Sequence, residues 1–157
     1  MKTNLCLFIV SCMVSTTVFA ATESTKNADP TGFTGKYSCK NVDSHDGNFT
    51  GVVDITRDDR ASDKTFNTYV AQGKATLSNG KTDTYHGNII VQGTTAATSF
   101  VNPDDATDHG VGIGKMAHEK DSTGKIKTIY TATYFQPAYE RDAKNPGGRG
   151  TWECVKQ

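Results

Sequence analysis

Only one tryptophan, four cysteines and four prolines occur in the 157 residues. No apolar run is both long and unbroken enough to anchor the chain in a bilayer. No segment repeats its apolar residues at the 3.6-residue period, which excludes a helical bundle. Charge of one sign is not in excess either: 17 basic residues balance 17 acidic ones, with no basic stripe or acidic tract. That argues against nucleic acid as a partner and against an electrostatically held membrane surface. Catalytic motifs are missing as well. No serine sits in a G-x-S-x-G elbow, and His45, His86, His109 and His118 form no H-x-E or H-x-H pair. No two carboxylates stand out as an acid/base pair, so the expectation is a non-enzymatic protein without a cofactor or metal.

The cysteines become scarcer still once the leader is read. Residues 1–20 have the pattern of a secretory signal peptide, with Lys2 as the positive start and Leu5–Val10 and Met13–Phe19 as the apolar core. Val18-Phe19-Ala20 offers small residues at the two positions a signal peptidase inspects. Cleavage after Ala20 would leave 157 less 20, or 137, residues, the size of one domain. It would remove Lys2, giving 17 acidic and 16 basic residues. A lipoprotein reading, with Cys12 lipidated, would leave the apolar stretch after it exposed and is disfavoured. Cys6 and Cys12 belong to the leader, which leaves Cys39 and Cys154 near the two ends of the folded region. In an oxidising destination, secreted or periplasmic, a Cys39–Cys154 disulfide is expected.

From Gly35 onward the period is 2, and turn residues recur every 8 to 15 or so residues. Ala21–Thr34 is polar and aperiodic and reads as a flexible N-terminal arm; residues 35–157 read as a single β-barrel domain. Tyr37 and Cys39 mark a first strand; Phe49, Gly51, Val53 and Ile55 line one face of a second. Tyr69 to Leu77 and Tyr85 to Val91 give the third and fourth strands, joined at Asn79-Gly80, a pair suited to a type I′ turn. Ala96–Val101, Gly110–Ala117, Ile126–Tyr134 and Trp152–Cys154 complete a set of eight. An even number of antiparallel strands places the first beside the last, so an eight-stranded up-and-down barrel can close with the two cysteines paired across the seam. A two-sheet β-sandwich is the alternative. In outline this closed, eight-stranded architecture resembles small exported barrels of the lipocalin and avidin kind. The resemblance implies the architecture and assigns no site.

Candidate sites follow from parity and loop length. Gly110, Gly112 and Gly114 alternate along the sixth strand and would remove bulk from one face, leaving room opposite Tyr69, Phe100, Tyr130, Tyr134 and Trp152. Those rings are the candidate ligand-binding set, for a small apolar or aromatic ligand at the barrel mouth. The long 136–150 segment carries Tyr139, Arg141 and Arg149, a candidate surface for a protein partner. Asp104, Asp105, Asp108 and His109 lack calcium-site spacing and read as a solvated turn. Two functions therefore stand: a secreted or periplasmic small-ligand-binding barrel, or an extracellular inhibitor or effector presenting the 136–150 loop.

Overall fold

The structure, a computed structural model, describes residues 29–157. The leader and the first part of the arm lie outside the described residues. Eight strands run in chain order: β1 (Gly35–Asp43), β2 (Gly47–Arg57), β3 (Asn67–Leu77), β4 (Thr82–Gln92), β5 (Thr95–Asn102), β6 (Asp105–Lys120), β7 (Ile126–Gln136) and β8 (Gly148–Lys156). Each pairs antiparallel with its neighbour, and β8 pairs with β1 to close the barrel. Closure leaves no sheet edge open to another chain.

Period-2 alternation sets which side chains enter the barrel. Along β7, Tyr130, Ala132, Tyr134 and Gln136 are buried, whereas Thr131, Thr133 and Phe135 are exposed. On the outer face of β1–β3 stand Lys36, Lys40, Asp54, Gln72 and Lys74. The outer face is mixed, for Val52, Val70, Ile90, Val101, Val111, Ile113 and Phe135 are exposed as well.

The seam is covalent. Cys39 and Cys154 are register partners on β1 and β8, their Cα atoms 4.0 Å apart, and they form a disulfide across a sequence separation of 115. The next inward pair on the seam is Asn41 with Trp152.

Turn chemistry differs from expectation at Asn79-Gly80. Only Gly80 has a positive φ, 84°, and its amide donates to Leu77 O while the Leu77 amide donates to Lys81 O. This is a type I turn followed by a glycine bulge. Asp121–Lys125 repeats it, with Gly124 at φ 83° and the same two bonds.

One end of the barrel is plugged by residues expected to belong to the flexible arm. Phe33 is 0% exposed, with its ring centroid 5.2 Å from those of Tyr69 and Tyr130 and 5.8 Å from that of Tyr37. A fully buried phenylalanine contributes roughly 1.5–3 kcal/mol of burial, enough to hold a short segment in place. Asp29 fixes that segment: its carboxylate accepts from the amides of Thr34 at 2.6 Å and Thr31 at 3.1 Å, and from the Tyr69 hydroxyl at 2.8 Å. Lys156 Nζ donates to Gly32 O at 2.8 Å, tying the plug to β8. Residues 29–34 of the expected arm are thus held against the barrel.

Candidate functional site

Above the plug, the interior holds a cavity of about 140 Å³ that runs from Tyr37 and Ile55 past the disulfide to Tyr134 and Gln136. Its ring-bearing wall comes from β4–β8. Trp152 and Tyr134 stack at 5.0 Å with 20° between their planes, and Phe100 stands edge-on to both at 5.7 and 5.6 Å. Tyr85 meets Phe100 at 5.9 Å, and Tyr130 closes the lower side 6.3 Å from Trp152. The opposite wall is mixed: Gly51, Ala71, Gly73, Ala75 and Gly87, from β2–β4, line the cavity with little or no side chain, set among Phe49, Val53, Ile55 and Ile89.

The void thus lies elsewhere than the β6 glycines suggested. A Cβ at Gly110 would come within 2.6 Å of Phe100 Cζ, and one at Gly114 within 2.8 Å of Tyr130 Cε2. The space beside these glycines is thus taken up by Phe100, Tyr130 and the neighbouring β7 backbone. Room is left instead along β2–β4, where the small residues face the rings without being covered.

Of the five rings expected in the site, Phe100, Tyr130, Tyr134 and Trp152 line the cavity. Tyr69 does not. Its ring packs on Phe33, and its hydroxyl is engaged with Asp29 and with Thr31 Oγ1 at 2.6 Å, all within the plug. Arg57 is also at that end, where its Nε donates to Asn67 Oδ1 at 3.1 Å.

The other end is polar and acidic. Asp108, expected in a solvated turn, is 3% exposed and accepts from Tyr85 Oη at 2.7 Å, Asn102 Nδ2 at 3.1 Å and Gln136 Nε2 at 2.6 Å. The polar loop expected from Asn102 is a tight turn at Pro103–Asp104, so β6 starts at Asp105 and carries Asp108 inward on the parity of Gly110. Asp105 stays outside, bonded to Thr107. Asp43 is also buried, and accepts from Tyr134 Oη and from the His45 amide, both at 2.7 Å. Burial and the neighbouring carboxylates push the phenols of Tyr85 and Tyr134 well above the usual tyrosine range. They therefore stay protonated and act as donors. Two wall rings are in this way pinned by buried acids, which fixes their orientation.

The segment between β7 and β8 folds over this end. Tyr139 Oη donates to Asp46 Oδ2 at 3.2 Å, and its ring meets His45 edge-on at 5.7 Å. The Asn145 side chain hydrogen-bonds His45, and the Arg149 amide donates to Ser44 Oγ at 3.1 Å. Burial pushes the Asp46 carboxyl up, against the Tyr139 bond, and Asp43, Glu140 and Asp108 push it further. The three residues expected to meet a protein partner are not equivalent. Arg141 and Arg149 are exposed, but Tyr139 is half-buried and turned onto the β1–β2 turn.

Two buried polar atoms on the cavity wall have no partner: Asn41 Oδ1 and Trp152 Nε1. The indole N–H is near enough to the Tyr130 hydroxyl to lower that phenol's pKa against the burial that raises it, yet closes no hydrogen bond there. Tyr130 Oη instead pairs with Thr98 Oγ1 at 3.0 Å. Sequence reasoning missed Asn41, Asp43, Tyr85 and Asp108. Parity with Tyr37 and Cys39 was the signal for Asn41 and Asp43, and parity with Gly110 was the signal for Asp108.

No protein-family model matches the chain. No curated protein matches it either. A solved structure, EF1p2_mFAP2b bound to DFHBI, is similar at 15% sequence identity over 79% of this chain and 92% of that one, with a TM-score of 0.47.

Proposed function

We propose that this is an exported, non-enzymatic barrel that holds a small, flat, apolar or aromatic ligand between its plugged end and its acidic end. The observation that carries the reading is the cavity itself: about 140 Å³, with the rings of Tyr85, Phe100, Tyr130, Tyr134 and Trp152 facing small residues set among Phe49, Val53, Ile55 and Ile89. An engineered apolar cavity of about 150 Å³ stays dry and takes benzene, so this volume suits a ligand of one ring. Stacked and edge-on rings favour a planar guest. The acids at the mouth are engaged as hydrogen-bond acceptors, Asp108 three times over, which supports a structural role for them over acid/base chemistry. Export rests on the leader pattern of residues 1–20 and on a disulfide, which persists in oxidising compartments.

The single tryptophan lies in the cavity wall and serves as the probe. Titration with benzene, toluene or phenol should change its fluorescence saturably, and Ala71→Leu, which fills the cavity from the facing wall, should abolish the change while the protein stays folded. An unchanged signal with all three compounds, together with no small molecule retained on purification from the native host, would remove the reading.

A further inference from the structure

We infer that the ligand is a cation, a one-ring ammonium compound whose ring lies in the cavity and whose charge faces the acidic end of the barrel. The inference rests on the cavity reading above and adds the sign of the ligand's charge. The buried polar or charged side chains among the described residues are Asn41, Asp43, Asn102, Asp108 and Gln136. Two are acids and none is a base. They gather at one end. Tyr134 and Gln136, two positions apart on the inner face of β7, bond Asp43 and Asp108 respectively, and Asn102 bonds Asp108. Asn41 precedes Asp43 by two positions on the inner face of β1. The cavity runs up to this group, for Asn41, Tyr85, Tyr134 and Gln136 all line it. Asn41 is 8% exposed, and its carbonyl oxygen has no donor. An unmet acceptor therefore stands on the cavity wall, one step along the strand from a buried acid.

The chain does not balance this charge from within. His45 is the one base near a buried acid, its Nδ1 3.6 Å from Asp43 Oδ1, and Asp43, Asp46 and Asp108 have no lysine or arginine within salt-bridge distance among the described residues. Lys81, Arg141, Lys144 and Arg149 stand exposed, where water screens them, and Lys81 is engaged by Asp83 at 3.2 Å. Asp46 adds a third carboxyl, pushed up by burial first and then by Asp43, Glu140 and Asp108. Hydroxyls and amides share the charge of the two buried acids without cancelling it. A cation in a water-poor interior is attracted by all of these carboxylates at once. The ring-bearing wall adds to that pull, because the faces of Trp, Tyr and Phe attract an ammonium. An ammonium is costly to bury unless it is paired and hydrogen-bonded, and this end supplies both charge and an open acceptor. It only donates, which suits Asn41 Oδ1. A carboxylate ligand would meet the same field with the opposite sign and could not donate to Asn41.

Calorimetric titration of the protein at neutral pH with benzylammonium, benzyl alcohol, ethylbenzene and benzoate tests this. The first three share a shape and differ in charge and polarity. Benzylammonium should bind about tenfold tighter than ethylbenzene and benzyl alcohol, the gain of a desolvated cation against rings and acids, and benzoate should not bind. Asp46→Asn takes one carboxylate from the acidic end, and Asn41→Leu takes away the unmet acceptor. Each should narrow the ratio of benzylammonium to ethylbenzene affinity, and a ratio cancels any general change in the cavity. If ethylbenzene binds as tightly as benzylammonium, or benzoate binds comparably, the cation assignment fails while the cavity reading stands. If the ratio is unchanged in both variants, the preference does not come from the acidic end and the assignment fails as well. If none of the four binds, the cavity reading falls and takes the cation with it.

Discussion

Tyr134 donates its hydroxyl to the buried carboxylate of Asp43 at 2.7 Å, linking the last residue of β1 to a ring stacked on Trp152 across the seam strand β8. One bond therefore joins the acidic end to the cavity wall. Tyr134→Phe keeps the ring but leaves a buried carboxylate short of a donor, a loss of about 1–3 kcal/mol. Urea unfolding should show that loss as a lower midpoint with an unchanged slope.

The plug gives a second expectation. Phe33→Ala removes a ring in contact with Tyr37, Tyr69 and Tyr130. Large-to-small changes of this kind cost about 3–5 kcal/mol. The same variant should enlarge the cavity downward, so that two-ring compounds too large for the parent protein bind. Denaturant midpoints and a ligand-size series measure the two effects.

Reduction of Cys39–Cys154 frees a loop closed over a separation of 115 residues. The chain-entropy treatment gives about 4–5 kcal/mol for a loop of that length. Thermal melts with and without reductant should differ by many degrees. Coincident melts would show that the seam is held by its strand pairing alone.

Acid should act on the two ends with opposite sign. Burial pushes the Asp29 carboxyl up, but the Thr34 amide and the Tyr69 hydroxyl outweigh it and bring the group from 3.8 to about 2. A depressed folded-state pKa contributes stability above the unfolded value, and that contribution is lost as pH falls from about 4 through 2. Asp29→Asn should therefore flatten the stability profile in that window. Asp46 is raised, so its contribution is present below the unfolded value and disappears as pH rises through the folded one. Asp46→Asn should be neutral or stabilising at pH 7 and lose its advantage in acid. Unfolding midpoints measured from pH 2 to 7 for both variants check the two signs.

Barrel and seam were legible in the sequence because they depend only on alternation and strand number. Tyr37 and Cys39 on one parity, Trp152 and Cys154 on another, and an even count of strands leave few closures to consider. The plug was not legible. Phe33 stands alone in a polar stretch without periodicity, and a single large apolar residue reveals its burial only once a barrel end exists to receive it. Asp43 and Asp108 were hidden for a different reason: charged residues beside turn signals are usually solvated. Here tyrosine hydroxyls and side-chain amides from three other strands, β4, β5 and β7, converge on them, and all but Asn102 are distant in sequence. The β6 glycines pointed to a close approach on the right strand. Alternation alone could not say that Phe100 and Tyr130 would occupy that approach and so move the void to β2–β4.

The base of the barrel is finished by the earliest and the latest parts of the described chain together: Gln157 donates its amide to Lys36 O, and Lys156 reaches Gly32. A chain without β8 would leave β1 and β7 as unpaired borders and the plug without its Lys156 tie. Closure of the wall and fastening of the floor therefore both wait on β8, however early the other seven strands pair.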